Sequence, residues 1–461
     1  MKKKFILATN LALIVVLVLA MPVLAAPPGS WITDFTLFNL SSSAAANVTI
    51  NRYTQCSGSS CSTDAGTVVA SPTIAAGGSY YYNPVSDPAF PTGFAGSIVV
   101  SSDQQLAGTV TLANNLTGTG YASDAYGAVS APATTTYLPI VLRMGVWSTR
   151  ITVQNTGTTN TSVTITYVGS GAPAATTISN LPPNMMAMVD LSDMGSLTFN
   201  GSATVTSTNA VAIVVEEYKT TGGVLVTYNG IPSSVAATTI YLPGYIDWGS
   251  WATDMTLVSA GGSGTVTVAF AGSSASLTGP VSPTSSPYLN RYGSLPSGWS
   301  GNFPTPNYYG AATVTSTTSI VIAYNISNSG TGGSGNLAEG YVGFAASQGA
   351  MTVVVPLIER TYSTGWNTTF SVQSLDGTPA TLSMTYSGNM APLCSPCNVT
   401  MSSASQTFNQ TSDGHVPSGF LGGVKIVSNK NIVVIADQAN TTAASYAGGD
   451  SAAGFVGFPS P

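Results

Sequence analysis

The sequence predicts an all-β protein, and three observations carry this prediction. Four similar segments recur along the 461 residues, and each opens with a tryptophan: Trp31, Trp147, Trp251 and Trp366. Between these anchors apolar residues alternate with threonine, which is the period of a strand with one buried face. Hydrophobic residues make up 44% of the chain and charged residues only 6%, so Ser, Thr, Asn and Gly must cover the exposed faces. No segment shows the 3.6-residue period of an amphipathic helix.

The N-terminus has the layout of an export signal. Three lysines at positions 2 to 4 precede an apolar stretch, Phe5–Leu24, and Val23-Leu24-Ala25 fits the small-residue rule of a cleavage site. We therefore expect residues 1–25 to be a signal peptide, and the mature protein to be secreted, extracellular or on the cell surface. The alternative is an uncleaved membrane anchor, because the stretch is nearly long enough to span a bilayer. No later segment reaches that length.

A second motif follows each tryptophan block. It begins with glycine and ends in serine: Gly96–Ser102, Gly201–Ser207, Gly310–Ser316 and Gly422–Ser428. A short polar stretch and another apolar strand come next, as in Ala210–Val215. This order predicts a β-hairpin in each of the four units.

The units have the size of an immunoglobulin-like β-sandwich. About 110 residues with some seven short strands is typical of that fold, and a strand with one apolar face must bury it against a second sheet. We therefore predict four tandem immunoglobulin-like β-sandwich domains in a row after the signal peptide. The predicted domains are 26–133, 134–236, 237–349 (with a long Pro-, Ser- and Gly-rich loop at 279–306) and 350–461.

A leading strand precedes three of the four tryptophan blocks. These strands end in Leu138-Pro139, Leu242-Pro243 and Val355-Pro356, whereas only five residues separate the predicted cleavage site from Trp31. Either the first unit is truncated with local compensation, or it has an open sheet edge, which native proteins usually protect. In the second case a neighbouring chain's strand could fill the gap.

The motifs resemble a recurrent module of bacterial secreted surface proteins. The second unit matches that pattern best, with Leu138-Pro139, Trp147, Gln154-Asn155, the strand Val163–Tyr167 and the segment Gly201–Ser207. The resemblance extends over essentially the whole mature chain, although the other units keep only part of the Gln-Asn pair. It implies tandem immunoglobulin-like modules on a cell surface, and it brings no active site with it.

The four cysteines form two close pairs. Cys56 and Cys61 lie in the first unit, and Cys394 and Cys397 lie in the matching loop of the last. In an exported chain this spacing predicts two local disulfides. The redox alternative lacks a thioredoxin-like context, and a zinc site would need both pairs to meet because no histidine is close in the sequence.

The sequence offers no plausible catalytic set. His415 is the only histidine, and its neighbours are typical of a solvated loop. Glu216 and Glu217 are adjacent on a strand, so their side chains point to opposite faces and cannot act on one bond. The residue three after each tryptophan is Asp34, Arg150, Asp254 or Thr369. This changing chemistry favours a structural role. We expect neither an enzyme nor a cofactor or metal site.

Aromatic clusters are the only candidate ligand contacts. They are Tyr80, Tyr81 and Tyr82 in the first unit, and Tyr288, Tyr292 and Trp299 in the third. The simpler interpretation is a half-buried strand, in which Tyr80 and Tyr82 share one face and Tyr81 faces the other way. If any loop binds a ligand, the 279–306 loop is the one we expect to do so.

These observations favour a non-enzymatic structural or adhesive protein of the cell surface, such as a stalk, filament or coat component. Its partners would be itself or other surface components. The alternative is a secreted carbohydrate-binding protein that uses the aromatic clusters, and a hydrolase is a distant third. Nucleic acid is excluded, because 11 basic residues face 17 acidic ones.

Overall fold

The computed structural model describes residues 14–17, 31–57, 61–114, 122–221, 223–304, 307–328, 337–363, 365–440, 450 and 452–460. Within these ranges the protein is all-β, as predicted, and its helical segments are short 3₁₀ turns: Pro84–Ser86, Leu191–Met194, Ser233–Val235 and Ala346–Gln348. Apart from positions 14–17, the predicted signal peptide (1–25) lies outside the described residues. No helix in the described part of the chain is long and apolar enough to cross a membrane.

The strands, numbered in chain order, form four similar groups that we call repeats 1 to 4, and β1 (Ile14–Leu17) precedes them. Repeat 1 contains β2 (Trp31–Asn39), β3 (Ala46–Thr54), β4 (Thr67–Ala70), β5 (Thr73–Ile74), β6 (Ser79–Tyr82), β7 (Gly96–Ser102), β8 (Leu106–Asn114) and β9 (Ser123–Gly127). Repeat 2 contains β10 (Ala133–Met144), β11 (Trp147–Asn155), β12 (Thr161–Val168), β13 (Thr176–Leu181), β14 (Met186–Asp190), β15 (Phe199–Lys219), β16 (Leu225–Asn229) and β17 (Ile231–Pro232).

Repeat 3 contains β18 (Ala237–Trp248), β19 (Trp251–Ser259), β20 (Gly264–Phe270), β21 (Ser276–Val281), β22 (Tyr288–Leu289), β23 (Ser300–Gly301), β24 (Tyr308–Asn328), β25 (Leu337–Val342) and β26 (Phe344–Ala345). Repeat 4 contains β27 (Ala350–Tyr362), β28 (Trp366–Ser374), β29 (Thr381–Gly388), β30 (Cys397–Thr400), β31 (Ser405–Asn409), β32 (Phe420–Asn440), β33 (Ala452–Val456) and β34 (Phe458–Pro459).

Each repeat has a sandwich-like arrangement of strands. In repeat 1 there are two separate sheets, with the strand orders β1-β7-β3-β4 and β6-β2-β8-β9. Fully buried Phe35, Ile50, Val100 and Val110 belong to one core that both sheets share. In repeats 2 to 4, a single strand of 21 residues (β15, β24 or β32) takes the place of β7 and β8. The strands that alternate apolar residues with threonine therefore bury their apolar side chains in the core, as the sequence predicts.

The predicted hairpin is wrong. In repeat 2, β15 continues without a turn, pairing first with β12 and then with β11. Its polar residues bond to side chains of β12 instead of forming a turn: the Thr208 and Thr161 hydroxyls lie 3.0 Å apart, and the backbone N–H of Asn209 donates to Thr161 Oγ1 at 2.9 Å. Because β12 satisfies these polar groups, the strand runs straight through them and joins both layers.

The threonine of each Trp-x-Thr motif connects the opening strand to the leading strand. In three repeats its hydroxyl accepts a bond of 2.8 or 2.9 Å from a leading-strand amide. The pairs are Thr149 with Leu142, Thr253 with Ile246, and Thr368 with Glu359. In repeat 1 the equivalent Thr33 is fully buried, and its hydroxyl has no partner among the described residues. In repeat 1 the strand that pairs with β7 is β1, which lies within the predicted signal peptide.

The four repeats close on themselves, so the expected row of sandwiches is wrong. The closing strands β9, β16, β25 and β33 lie side by side, and each contacts two of the others extensively. The Gly454 amide of repeat 4 donates to Asp124 Oδ1 of repeat 1 at 2.7 Å. Small residues permit this approach: a Cβ on Gly340 would lie 2.2 Å from the Thr227 carbonyl oxygen. The first and last repeats are therefore neighbours, and the packing creates junctions between repeats.

Candidate binding clefts between repeats

Several clefts lie at junctions between repeats, and two of them resemble each other in the residues that line them. The 2–3 cleft, between repeats 2 and 3, has a volume of about 240 Å³. The 4–1 cleft, between repeats 4 and 1, has a volume of about 200 Å³. In each, one repeat contributes its leading strand and its opening tryptophan, Trp147 or Trp366, and the next contributes the residue three after its own tryptophan, Asp254 or Asp34. These residues of the two clefts therefore occupy equivalent positions of the repeat.

A tyrosine hydroxyl holds the aspartate in each cleft. Tyr288 O–H donates to Asp254 Oδ2 at 2.6 Å, and Tyr81 O–H donates to Asp34 Oδ2 at 3.0 Å. The tyrosines belong to β22 and β6, which pair with the opening strands that carry the aspartates. The two tyrosine residues are 36% and 44% exposed and line their clefts. Each cleft thus has an aromatic ring beside a carboxyl group.

A second carboxyl group in each cleft is bonded to an amide. Asn325 Nδ2 donates to Glu217 Oε2 at 3.2 Å in the 2–3 cleft, and Gln438 Nε2 donates to Glu359 Oε2 in the 4–1 cleft. Glu217 Oε1 and Asn325 Oδ1 are buried and have no partner among the described residues. The 2–3 cleft therefore offers unfilled acceptors to a ligand that donates hydrogen bonds.

Burial raises the pKa of all four cleft carboxyl groups. It brings the pKa of Asp34 and of Asp254 to about 6. The pKa of Glu359 rises to about 8, with a further contribution from nearby Asp34. The pKa of Glu217 is well above its ordinary value, again mainly through burial and then through Asp254. Each pair consequently carries less than its full negative charge at neutral pH.

The positions of the cleft aspartates are filled differently in repeats 2 and 4. In repeat 2 the guanidinium of Arg150 lies 3.0 Å from Asp190 Oδ2 and 3.2 Å from Glu216 Oε2, with all three side chains buried. In repeat 4, Thr369 is directly opposite Asp437 on β32. The position recurs as a polar residue, buried in repeat 2 and half-buried in the others, whose cross-strand neighbour is also polar. It lines a cleft only in repeats 1 and 3, within the described part of the chain.

The predicted aromatic contacts do not share one environment. Tyr81 and Tyr288 occupy equivalent places in the two clefts. Tyr82 is buried and donates to Asp87 while its ring packs on Phe35, and Tyr80 is half-buried beside it. Tyr292 is 58% exposed and lies against Arg291, outside both clefts. Trp299 is only 8% exposed, and its indole N–H donates to the Pro280 carbonyl oxygen at 3.2 Å. It nevertheless lines a further cleft, of about 550 Å³, which the 279–306 loop forms together with Asn200 of repeat 2.

The two predicted disulfides, Cys56–Cys61 and Cys394–Cys397, are confirmed. The Cys56 amide also donates to the Met186 carbonyl oxygen, so its loop contacts repeat 2. The expectation that no histidine lies near a cysteine pair is wrong: a ring nitrogen of His415 and both sulfur atoms of the second pair lie within 4.8 Å of one another. His415 is half-buried and its Nδ1 lies 3.1 Å from the Tyr386 hydroxyl. Because the sulfur atoms are bonded to each other, they offer no thiolate to a metal.

Comparison with known proteins adds little to this description. No protein-family model matches the chain, and no curated protein matches it. Among solved structures, it is similar to Thermotoga maritima 1070 (18% identity, 22% of this chain and 95% of that one, TM-score 0.20). It is also similar to the partial N-terminal region of an enterococcal surface protein (7% identity, 77% and 90% covered, TM-score 0.17). A third match is E. coli alpha-2-macroglobulin (9% identity, 92% and 28% covered, TM-score 0.10). These values support no conclusion about function.

Proposed function

We propose that the protein is a secreted, non-enzymatic adhesive protein of the cell surface, and that its two clefts bind carbohydrate. One observation carries the proposal: each cleft combines a tryptophan, a tyrosine bonded to an aspartate, and a second carboxyl group bonded to an amide. Sugars offer hydroxyl groups to carboxyl and amide groups, and they offer C–H faces to aromatic rings. Clefts of 200 to 240 Å³ have room for a single sugar ring.

The electrostatics of the clefts favour an uncharged ligand. Carboxyl groups whose pKa is raised to 6 or above are partly protonated near neutral pH, so they both donate and accept hydrogen bonds. A sugar hydroxyl is matched to such a group, because it too donates and accepts. The absence of any basic residue from the described lining of either cleft argues against phosphate or sulfate groups.

Two equivalent clefts on one chain support adhesion rather than simple capture. A ligand that presents several sugar residues could occupy both clefts, and the second binding event would then be intramolecular. The export that we propose would place both clefts at the cell surface, where ligands with several sugar residues occur. The low charge of the chain would also reduce repulsion between neighbouring copies.

Loss of both cleft tyrosine hydroxyls should weaken carbohydrate binding. On a glycan array, we expect the exported protein to bind a defined set of glycans, and the double variant Tyr81→Phe/Tyr288→Phe to bind them roughly ten- to a hundredfold more weakly. That range corresponds to one hydrogen bond to a charged group in each cleft. Tyr292→Ala is the matched control, because Tyr292 is exposed and lies outside both clefts.

Two results would contradict the proposal. One is a lack of binding, or binding that the double variant leaves unchanged. The other is cleavage of a bound glycan that Glu217→Gln or Glu359→Gln abolishes, because paired carboxyl groups are also the machinery of glycoside hydrolysis. Measuring reducing ends during the binding assay separates a binding protein from a hydrolase.

A structural role as a filament or coat component is a second candidate. It is favoured by one observation: β7 pairs with β1 of the predicted signal peptide, so cleavage would open this sheet edge to a strand of another surface component.

A further inference from the structure

In repeats 2, 3 and 4, a leading strand occupies the position that corresponds to the edge of β7. In repeats 2 to 4 the leading strand pairs antiparallel with the first half of the long strand, with one apolar residue in the same register each time. These pairs are Leu138 with Ala203, Leu242 with Ala312, and Val355 with Val424. The equivalent residue of repeat 1 is Ile98. We call the edge of β7 around Ile98, together with Thr33 of β2, the strand slot.

The strand slot accepts an apolar strand in the register of the other repeats. Strand β1 pairs antiparallel with β7, and Leu17 lies opposite Ile98. Leu17 thus has the place of Leu138, Leu242 and Val355. Because this segment belongs to the predicted signal peptide, cleavage after Ala25 would remove it from the mature protein.

Thr33 provides independent evidence that a strand belongs there. It is fully buried, and its hydroxyl has no partner among the described residues. The three equivalent threonines each accept from an amide of the leading strand. Burying a hydroxyl without a partner is unfavourable, so a strand that brought an amide to Thr33 would complete the site.

A second copy of the chain is poorly suited to supply that strand. Its own leading strands β10, β18 and β27 are each paired with the long strand of their own repeat. Donating one would break those ladders and leave another slot open. The donor must therefore have an extended segment that is free in its own chain.

We propose that the mature protein takes up, in trans, an extended segment of a different protein as the leading strand of repeat 1. The segment has Thr and Tyr residues followed by an apolar run, like β10 of repeat 2, and it places a leucine opposite Ile98. Backbone hydrogen bonds to β7 would give affinity, and the buried leucine would give register. This inference rests on the export part of the proposed function, but not on carbohydrate binding.

A peptide with the sequence of residues 134–142 is the probe for this slot. With the secreted protein, purified and shown by mass spectrometry to begin at Ala26, we expect binding of one peptide per chain by calorimetry. A peptide with Leu138→Asp should bind at least tenfold more weakly, because this residue is fully buried in repeat 2. A protein variant with residues 134–146 placed directly before Trp31 should not bind the peptide, since its slot is filled in cis.

The variant Thr33→Val tests whether this hydroxyl serves the binding of a strand or the stability of the protein. We expect the variant to keep the thermal stability of the mature protein, because the lost hydroxyl had no partner, but to bind the peptide several-fold more weakly. Thr149→Val is the control and should lower stability, because the Leu142 amide loses its acceptor.

Absence of peptide binding would overturn the inference. So would a secreted chain that still contains residues 14–17, or self-association of the mature protein that the 134–146 graft abolishes. None of these results bears on the glycan array.

Discussion

Replacing Arg150 with methionine is expected to lower the free energy of unfolding at pH 7 by about 3–5 kcal/mol, the usual cost of removing one partner from a buried ion pair. Arg150 contacts two carboxyl groups, and both it and they are buried. Without the guanidinium, Asp190 and Glu216 would be left as uncompensated buried charges. Urea unfolding followed by circular dichroism at pH 7 measures the effect, which should shrink at pH 5 because burial raises the pKa of Glu216 and favours its protonated form.

The chain itself offers a matched control for this variant. In repeat 4 the three equivalent positions are Thr369, Asn409 and Asp437, which contain no cation. The triple variant Arg150→Thr/Asp190→Asn/Glu216→Asp transfers that set to repeat 2, and we expect it to recover at least half of the lost stability. If the triple variant is less stable than Arg150→Met, the two repeats are not equivalent at this position.

The protein should be more stable at pH 5 than at pH 8.5 in the absence of ligand. Burial raises the pKa of Asp34 and Asp254 to about 6 and that of Glu359 to about 8. Since the folded chain holds these protons more tightly than the unfolded chain, the stabilisation is complete below about pH 4 and is lost as the pH rises through 6 to 8. Each aspartate should contribute on the order of 1–3 kcal/mol, because the clefts admit some water and reduce the full effect of the shift.

Thermal unfolding at a series of pH values tests this expectation. The double variant Asp34→Asn/Asp254→Asn keeps an acceptor for each tyrosine hydroxyl but removes two titrating groups. The difference in melting temperature between pH 5 and pH 8.5 should therefore become smaller in the variant. A melting temperature that increases from pH 5 to pH 8.5, or a pH profile that the double variant leaves unchanged, would show that the clefts do not control this dependence.

Much of the local structure could be predicted from the sequence, because alternation and repetition report directly on strands. The apolar positions of β12, such as Val163 and Ile165, are fully buried as their pattern predicts. The hairpin prediction failed at a polar stretch that resembles a turn. A turn and a strand crossing between two layers both place polar residues between apolar runs, and only the partners of Thr208 and Asn209 distinguish them.

The clefts could not be predicted in the same way, because they join residues of different repeats. Glu217 was considered with its neighbour Glu216, whereas in the cleft it lies with Asp254 of the next repeat. The aromatic residue that recurs in the closing strands does not reveal the closure either. Tyr126, Tyr228, Tyr341 and Phe455 are all buried, but each belongs to a different core, so separate domains in a row would bury them too.

Small-angle X-ray scattering of the mature protein tests the closure of the four repeats most directly, and both clefts depend on that closure. A compact chain of this length has a radius of gyration of about 22 Å, whereas four domains in a row would have about 40 Å. We predict a value near 22 Å that does not change with protein concentration. A value near 40 Å would mean that repeats 1 and 4 do not meet, and it would contradict the fold, the 4–1 cleft and the proposed pair of binding sites together.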